Sequence, residues 1–398
     1  MKKNGVLFII LTVFTTATFA QWSLQSSGTT ATLTGVGFAS ADTGYVVSAD
    51  FQTGGVISNS NNGSIWMQQY SNADYLFTVY ARQGGLVWAG GGVIGGGTIL
   101  HSSNGGVTWI QQTTNVEQIS SIHFINDTLG WAIGNDATAG DYYIYKTIDG
   151  GSNWIQQTTG FDYLRSIIFI SPTIGWAAGD NGRIFKTIDG GATWNLLSTG
   201  VVFHFSSIFF ISSNIGWACG SYVDGGIYKT DDGGQTWSAQ TIPTTEPITD
   251  LHFTSPNSGW AVGSAGTILK TGNGGILWQN EVSPTTQNLS SICFPNSSVG
   301  YAVGANGTII KYDGVTSVAN QKMESVSVYP NPSSHYIYIN ITKEIQYIEV
   351  CSVSGEKVSM NPEPSSNKFD ISTLEVGMYF LTVHSKEGVF TSKFIKGI

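Results

Sequence analysis

The stretch Gly175-Trp176-Ala177-Ala178-Gly179, followed by Thr187-Ile188-Asp189-Gly190-Gly191-Ala192-Thr193-Trp194, decides the fold because both parts recur along the chain. The aromatic of the first part returns after 41 to 45 residues and defines seven units, numbered 1 to 7 in chain order. These aromatics are Tyr45, Trp88, Trp131, Trp176, Trp217, Trp260 and Tyr301. A period of this length is typical of a propeller blade with four strands.

Unit 3 shows the four predicted strands. Residues 121–124 alternate polar and apolar side chains, as a half-buried inner strand does, and residues 130–134, 143–147 and 154–157 follow as the second, third and fourth strands. A single blade is apolar on both faces and is stable only when neighbouring blades cover it. A second Trp in each unit is expected to fill the space between blades. These residues are Trp22, Trp66, Trp109, Trp154, Trp194, Trp237 and Trp278.

The two ends of the repeat region are complementary. Unit 7 stops at Asp313-Gly314 without a fourth strand, whereas Trp22-Ser23-Leu24-Gln25 resembles the fourth strands of other units. We therefore predict that the N-terminal strand completes the last blade and closes the ring. The predicted fold is all-β, a seven-bladed β-propeller over residues 21–314 followed by a small immunoglobulin-like β-sandwich.

The string from Thr187 to Trp194 predicts a tight turn between the third and fourth strands. An Asp carboxylate accepts backbone N–H bonds, the glycines supply positive φ, and the Trp enters the core. Asn61, Asn104 and Asn273 replace the Asp in units 1, 2 and 6, and an amide makes the same turn without a charge. A structural role is therefore favoured over a metal-binding or catalytic one for this set of turn residues: Asp149, Asp189, Asp232, Trp154, Trp194 and Trp237.

This turn string resembles the Asp-box, or bacterial neuraminidase repeat. The longer unit, with Gly-Trp-Ala-x-Gly before Lys-Thr-x-Asp-Gly-Gly-x-Thr-Trp, is similar to the propellers of photosystem II assembly and stability factors. The resemblance covers residues 21–314 and implies the fold. It leaves the function open, because sialidases, glucanases, sorting receptors and assembly factors share such repeats.

The N-terminus has the pattern of a secretory signal peptide. Lys2 and Lys3 precede an apolar run over residues 5–19, and cleavage is expected after Ala20. About 15 apolar residues are too few for a helix that spans a bilayer, which needs about 20. The mature chain is therefore expected to have no membrane span.

The repeat ends at Gly314, and residues 315–325 form a polar linker. Residues 326–398 contain many short alternating stretches, which predict a small β-sandwich. The strings Tyr329-Pro330-Asn331-Pro332 and Met378-Tyr379-Phe380-Leu381 closely resemble the C-terminal sorting domain of cargo for the type IX secretion system. This resemblance implies the type IX machinery as a partner and export to the outer-membrane surface or the extracellular space.

Charge and composition argue against several classes of function. A net charge of -9 and a pI near 5.0 provide no attraction to nucleic acid or anionic lipid. The resemblance to sialidases would require three arginines around one carboxylate. Arg165 and Arg183 are predicted on one rim and Arg82 on the opposite rim, so we predict that this triad does not assemble.

Cofactor and metal sites are also not predicted. His123 and His252 occupy equivalent inner-strand positions in units 3 and 6 and have no clustered partner. The glycine-rich residues 90–97 lack the Lys-Ser/Thr of a phosphate-binding loop. The three cysteines have unrelated spacings and are expected to be buried thiols. We predict no catalytic residue, cofactor or metal.

Binding is predicted at the rim that carries the loops between second and third strands and between blades. These loops are long in units 1, 2, 3 and 5 and short in units 4, 6 and 7. Aromatic side chains next to carboxylates suit sugar rings or peptide segments. The candidate binding residues are Phe51, Tyr75, Tyr142, Asp162, Tyr163, Arg165, Tyr222 and Asp224.

Three functions remain open from the sequence. The first is an exported, non-catalytic propeller that binds an unidentified protein or glycan. The second is an extracellular glycoside hydrolase in which Asp162, Asp224 or Glu246 form a carboxylate pair about 5 to 10 Å apart. The third, an assembly chaperone, follows from the resemblance to photosystem factors.

Overall fold

A computed structural model describes residues 22–50, 55–60, 65–71, 75–93, 96–112, 117–136, 140–161, 163–221, 225–314, 326–341, 345–352, 357–360, 367–385 and 388–397. The predicted signal peptide and most of the long rim loops lie outside these residues. Internal contacts divide the chain into two units at the Gly314–Val315 bond.

The described residues of the first unit form seven four-stranded antiparallel sheets. The inner strands are Leu33–Ser40, Leu76–Arg82, Gln118–Phe124, Leu164–Phe169, His204–Phe210, Ile248–Phe253 and Leu289–Asn296. The second strands are Thr43–Ser48, Leu86–Val93, Gly130–Asp136, Gly175–Gly179, Gly216–Ser221, Gly259–Gly263 and Val299–Gly304. The third strands are Gly55–Ser60, Gly96–Ser102, Asp141–Thr147, Arg183–Thr187, Gly225–Thr230, Ile268–Thr271 and Ile309–Asp313. The outer strands are Ile65–Ser71, Ile110–Gln112, Ile155–Phe161, Asn195–Ser198, Ser238–Ala239, Gln279–Asn280 and, for the last sheet, Trp22–Gln25.

The sheets are arranged as the blades of a closed ring. Each inner strand contacts the inner strands of the sheets before and after it, and Leu289–Asn296 contacts Leu33–Ser40. Trp22–Gln25 pairs antiparallel with Ile309–Asp313, with Trp22 opposite Tyr312. The last blade therefore joins the two ends of the repeat region, which fits the seven blades predicted from the period.

Adjacent blades are joined by stacked aromatic rings. Trp131 of blade 3 lies flat on Phe169 of the next inner strand, with ring centroids 3.5 Å apart and an interplanar angle of 6°. Gly175 makes room for this phenylalanine, because a Cβ built on that glycine would lie 2.6 Å from the ring. The glycine that precedes the aromatic in the repeat therefore has a packing role.

Blade 2 shows the same constraint with its residues exchanged. Val87 stands at the glycine position and Ala81 at the phenylalanine position, and the two residues face each other across the strands. Both pack in one cluster with Tyr45 of blade 1. In this blade the small residue, Ala81, is on the inner strand and the larger residue, Val87, is on the second strand. The space between the two strands is therefore still filled.

Indole hydrogen bonds add a second connection between blades. Trp131 Nε1 donates to the Gly190 carbonyl of the following Asp-box turn at 3.1 Å. Lys146 Nζ donates to the same carbonyl at 3.0 Å and lies 5.5 Å from the Trp131 ring centroid. Each Asp-box turn in this arrangement holds the tryptophan of the preceding blade. The same indole-to-carbonyl bond forms in Trp88–Gly150, Trp176–Gly233 and Trp217–Gly274.

The second series of tryptophans fills the space between blades unevenly, because four of its seven members are only half-buried. Trp194 is half-buried and meets Phe169 edge-on, with centroids 5.8 Å apart and planes at 88°. Trp154 and Trp237 are half-buried in the same way. Trp22, Trp66 and Trp278 of the same series are buried, as are the aromatics of the Gly-Trp strands, such as Trp131 and Trp176.

The second unit contains two antiparallel sheets. One has the strands Ser327–Tyr329, Tyr336–Asn340 and Lys368–Asp370, and the other has Lys357–Met360, Ile345–Ser352, Gly377–Ser385 and Gly388–Lys396. Side chains from both sheets form one apolar core, as in a small β-sandwich. This core contains Val326, Ile337, Ile339, Ile348, Val350, Phe369, Ile371, Leu374, Tyr379, Leu381, Val383, Phe390 and Phe394.

Over the part of the chain that the structure describes, no helix is long and apolar enough to cross a bilayer. Cys219 is buried, whereas Cys293 and Cys351 are half-buried, and all three are free thiols.

We expect Trp131→Ala to lower the free energy of unfolding by about 3–5 kcal/mol, because it leaves a cavity under Phe169 and removes an indole bond between blades. Trp194→Ala should cost clearly less, since that ring is half-buried and packs edge-on. Urea unfolding of both variants measures the difference. Equal losses would contradict the assignment of the stacked indoles as the main connection between blades.

Candidate binding site at the loop-rich rim

Every inner strand carries a β-bulge near its start, at the rim where the blades are connected. A bulge inserts one extra residue and redirects its side chain. We call this extra residue the bulge residue; in blades 1 to 7 it is Thr34, Phe77, Ser120, Arg165, Ser206, Thr249 and Ser290. These residues and those that follow them line a polar pocket of about 160 Å³ at the mouth of the central channel.

Three bulge hydroxyls connect one blade to the next. Each donates to the carbonyl at the start of the following inner strand: Thr34 to Leu76 at 2.6 Å, Ser206 to Ile248 at 3.0 Å and Thr249 to Leu289 at 2.7 Å. At the mouth of the channel, these hydrogen bonds therefore connect blades 1 and 2, blades 5 and 6, and blades 6 and 7.

The residue after the bulge adds a second set of bonds between blades. Ser121 Oγ accepts the Ile167 N–H at 3.3 Å, and Ser166 Oγ accepts the Ile208 N–H at 3.3 Å. In blade 6 this position is Asp250, whose Oδ2 accepts the Ile292 N–H at 2.9 Å. A carboxylate thus takes the place of a serine hydroxyl in this set.

Asp250 is held by donors from its own and adjacent blades. Oδ1 accepts the Leu251 N–H at 2.9 Å, and Oδ2 also accepts the Ser291 hydroxyl at 3.0 Å. Burial raises the pKa of Asp250, although bonds from Ile292, Ser207, Ser291 and Leu251 oppose the shift.

Blade 2 has Phe77 at the bulge position, and blades 3 and 4 also depart from this pattern. The Ser120 hydroxyl oxygen is buried and has no hydrogen-bond partner among the described residues. In blade 4, Arg165 replaces the hydroxyl residue and binds Asp180 through two bonds, Nε–Oδ1 at 2.6 Å and Nη2–Oδ2 at 3.0 Å. His204 Nδ1 lies 3.1 Å from Asp180 Oδ1. Burial alone would raise the pKa of Asp180, but the bonds and charge of Arg165 outweigh it and lower this pKa.

Two tyrosines complete this group. Tyr163 is 52% exposed, and its ring centroid lies 5.4 Å from that of Tyr142, with planes at 45°. Tyr163 has a φ of 38°, which is uncommon for a residue with a side chain. Its carbonyl accepts the Asp180 N–H at 3.0 Å, and a Cβ on Gly179 would lie 1.9 Å from that carbonyl oxygen. We call Tyr142, Tyr163, Arg165, Asp180 and His204 the rim cluster.

The structure brings together three of the predicted binding residues, namely Tyr142, Tyr163 and Arg165. Tyr75 lies in blade 2, where its ring stacks on Phe77 at 6.4 Å and 9°. The other four candidates, Phe51, Asp162, Tyr222 and Asp224, lie outside the described residues.

Sequence reasoning missed Asp180, His204 and the seven bulges. Asp180 could have been found, because Asn181-Gly182 after it is a typical two-residue hairpin turn, with φ values of 58° and 69°. The second strand ends at Gly179, and the turn places Asp180 directly after it, beside the start of the inner strand that carries Arg165.

The lower part of the channel holds the two inner-strand histidines. His123 and His252 line a cavity of about 560 Å³ with Tyr80, Phe209 and Cys293. Burial lowers the pKa of both histidines to about 4, so both imidazoles are neutral at pH 7. His123 Nε2 lies 2.9 Å from the Phe169 carbonyl. Within the described ranges, no group of three or more His, Cys, Asp or Glu side chains could hold a metal ion.

Of the other two arginines, Arg82 lies away from the rim cluster and Arg183 lies at its edge. Arg82 Nε is paired with Asp127 Oδ1 at 2.9 Å, at the end of its inner strand. Arg183 begins the third strand of blade 4. A three-arginine site around one carboxylate is thus not formed by Arg82, Arg165 and Arg183.

The Asp-box turns form hydrogen-bonded caps on the opposite rim. Asp189 Oδ1 accepts the Thr193 N–H at 2.9 Å, and the Thr187 hydroxyl donates to the same oxygen at 2.8 Å. The Thr193 bonds lower the pKa of Asp189 to about 2. In blade 6, Asn273 Oδ1 accepts the Leu277 N–H at 2.9 Å in the same geometry. The turn therefore forms with or without a charge.

The ring of four-stranded blades and the Asp-box turns define a β-propeller of the Asp-box repeat class, followed by a small β-sandwich. Residues 117–250 and 243–313 match the family model of the photosynthesis system II assembly factor YCF48. Residues 327–397 match the secretion system C-terminal sorting domain. The chain is thus an Asp-box propeller similar to the photosystem II assembly factors, with a C-terminal sorting domain that implies secretion to the cell surface or the extracellular space.

Solved structures agree with the fold. YCF48 from Cyanidioschyzon merolae is 19% identical, with a TM-score of 0.61 over 74% of this chain and 99% of that one. YCF48 bound to D1 peptide gives the same identity and TM-score over 74% and 97%. The GH74 xyloglucanase from Xanthomonas campestris is 11% identical, with a TM-score of 0.59 over 94% of this chain and 68% of that one. At these identities the likeness establishes the fold alone. Comparison with curated protein sequences gives no match.

We expect Asp250→Ser to gain stability relative to the unchanged chain as the pH rises. The pKa of Asp250 is raised in the folded state, so this side chain contributes its full stabilisation below the unfolded pKa of 3.8. That stabilisation is lost as the pH rises through the folded pKa. Serine at the same position in blades 3 and 4 already accepts the equivalent N–H bond. Thermal unfolding of both chains between about pH 4 and pH 8 measures the effect. Parallel Tm profiles would contradict it.

Proposed function

We propose that this protein is a secreted, non-catalytic propeller that binds a protein or glycan partner through its loop-rich rim at blades 3 to 5. The observation that carries the proposal is the rim cluster. It combines the exposed ring of Tyr163 with a second tyrosine and an ordered guanidinium, contributed by blades 3 and 4. Tyrosine and arginine contribute much of the binding energy in protein interfaces, and tyrosine faces also stack on sugars.

The arrangement of the cluster suits recognition better than proton transfer. Arg165 and Asp180 neutralise each other through two short bonds, so neither side chain is poised as a free acid or base. The positive φ of Tyr163 is maintained by the close approach of its carbonyl to Gly179. A strained residue held in place by its neighbours is a common feature of binding sites.

The sorting domain supports the location of this activity. Its match over residues 327–397 supports export through the type IX machinery, and binding would then take place at the outer-membrane surface or outside the cell. YCF48 has been captured with D1 peptide bound, which supports a protein partner for a propeller of this type.

A glycoside hydrolase would need two carboxylates about 5 to 10 Å apart, one of them with a raised pKa. Of the three carboxylates predicted for this role, Glu246 is exposed, and Asp162 and Asp224 lie outside the described residues. Incubation of the purified protein with polysaccharides, followed by measurement of released reducing ends, tests this alternative. Turnover would overturn the non-catalytic proposal.

We expect Tyr163→Asn to weaken partner binding at least about tenfold, because it removes the exposed ring while asparagine tolerates the positive φ. Immobilised unchanged and variant proteins would be compared for capture of proteins and glycans from the culture supernatant and cell envelope. Ile188→Ala is the matched control, since Ile188 is 65% exposed on an Asp-box turn at the opposite rim. The proposal fails if Tyr163→Asn captures the same partners as the control with an unchanged Tm.

A further inference from the structure

The cavity inside the channel carries four half-buried aromatic side chains. Tyr80, His123, Phe209 and His252 occupy equivalent inner-strand positions in blades 2, 3, 5 and 6, each paired in the ladder with the aromatic of its Gly-Trp strand. We call these four residues the channel belt. Ring centroids lie 5.1 Å apart for Tyr80 and His123 and 5.0 Å apart for Phe209 and His252. The cavity of about 560 Å³ falls within the range of small-molecule sites.

Asp250 stands where this cavity meets the pocket at the channel mouth. Asp250, Ser207 and Ser291 line both spaces, and Asp250 is half-buried, so it can be reached from the channel. The backbone N–H groups and the hydroxyl that bond to its carboxylate are all neutral. Among the described residues Asp250 has no cationic partner, and its charge is therefore not compensated within the protein.

The other titratable groups that line the cavity are neutral at pH 7. Burial lowers the pKa of His123 and of His252 to about 4, and it raises the pKa of Cys293 to about 12. Burial also raises the pKa of Tyr80. The described lining contains no Lys, Arg or Glu. Asp250 is thus the group that gives this lining its net charge, and the cavity favours a cation.

The hydroxyls beside Asp250 suit an ammonium group. Ser291 donates its hydrogen to Asp250 Oδ2 at 3.0 Å, so the lone pairs of its oxygen remain able to accept an N–H. An ammonium group has donors only and would meet both this oxygen and the negative charge behind it. The channel belt adds aromatic faces, which attract a cation and pack against an apolar body. A hydrated inorganic ion would make little use of these rings.

Arg82 gives the channel a direction. It ends the inner strand of blade 2, away from the mouth, and is paired with Asp127. Its side chain hydrogen-bonds to Tyr80, and its charge adds to the effect of burial on the pKa of His123. Positive charge therefore lies beyond the belt and negative charge at Asp250. A ligand with one ammonium group would place that group toward the mouth and its uncharged body on the belt.

We propose that the central channel binds a small organic amine, with its ammonium group at Asp250 and Ser291 and its apolar body on the channel belt. This site is separate from the rim cluster, since Tyr142 and Tyr163 are not among the residues that line the cavity. The inference therefore adds a second ligand to the protein and does not depend on the proposed function of the rim.

The test is isothermal titration calorimetry of the full chain with matched small molecules. Phenethylamine and hexylamine are the probes, phenethyl alcohol has the same body without the charge, phenylacetate carries the opposite charge, and methylamine has almost no body. We expect at least one of the two probes to bind at least about tenfold more tightly than the alcohol, phenylacetate and methylamine. A peptide with one lysine distinguishes a free amine from a lysine side chain.

Substitution of Asp250 assigns the binding to the channel. Asp250→Ser should weaken amine binding at least about tenfold, and serine retains an acceptor for the Ile292 N–H, as Ser166 does for Ile208. Asp189→Asn is the matched control, because it removes one carboxylate at an Asp-box turn that Asn273 forms in the same geometry. The Tm of each variant reports whether it is folded.

A second variant tests the belt independently of the carboxylate. Phe209→Leu keeps an apolar side chain but removes an aromatic face, and it should weaken phenethylamine binding about threefold. Unchanged binding in this folded variant would overturn the placement of the body on the belt.

Three other results would overturn the inference. The first is no binding of either amine, even if the lysine peptide binds. The second is binding of the alcohol or phenylacetate as tight as that of the amine, a comparison that needs no variant. The third is amine binding that survives Asp250→Ser in a folded protein. Tyr163→Asn should leave amine binding unchanged, and Asp250→Ser should leave capture at the rim unchanged, so the channel site and the rim function can fail separately.

Discussion

The structure depends on flat aromatic rings that stack at six of the seven blade junctions, whereas Ala81 stands at the phenylalanine position between blades 1 and 2. The indole of each Gly-Trp strand lies on the phenylalanine of the following blade, as Trp176 does on Phe210 with centroids 3.6 Å apart. The contact continues across the junction of the last and first blades, where Tyr301 stacks on Phe38 at 4.3 Å. Because these rings pack between successive blades, no blade buries its apolar faces without its neighbours.

This constraint explains which parts of the repeat can vary. The glycine below the phenylalanine cannot gain a side chain unless the opposite residue becomes small, which is the exchange seen at Val87 and Ala81. The Asp-box turn can lose its charge, as at Asn273, because the oxygen that accepts the backbone N–H remains. Variation without such compensation is confined to the bulge residues and the rim loops, where the stacked rings do not reach.

The blades could be predicted from the sequence because each of the seven blades needs the same packing residues. The corresponding sequence pattern therefore recurs at a nearly constant interval. It also predicted the closing strand, since Trp22 belongs to the same series as Trp66 and Trp109. The bulges were missed for a physical reason. One inserted residue shifts the alternation by one position, and a strand of six to eight residues is too short for that shift to be distinguished from an ordinary substitution.

The rim cluster could be predicted only in part for a related reason. Tyr142, Tyr163 and Arg165 stand out as aromatic and basic residues in a chain with few charges, so composition identifies them. Asp180 reaches Arg165 from a hairpin turn, and His204 reaches Asp180 from the next blade. Contacts between blades are not encoded in local spacing. The half-burial of Trp194 was unforeseen because a recurring tryptophan indicates packing without showing which face of the ring is covered.

The two ends of the channel differ in a way that indicates where a ligand enters. On the Asp-box side, the turns are fixed by side-chain caps and by the indole bonds of the preceding blade, and Arg82 is paired with Asp127. On the other side, mouth hydroxyls donate to carbonyls in blades 1, 5 and 6 and accept N–H groups in blades 3 and 4. Two bulge residues, Phe77 and Arg165, have no hydroxyl, and Arg165 pairs with Asp180. An uninterrupted ring of bonds would serve stability alone. In blade 4 the departure from it places the Arg165–Asp180 ion pair near the exposed Tyr163, and this agrees with the binding role proposed for the rim cluster.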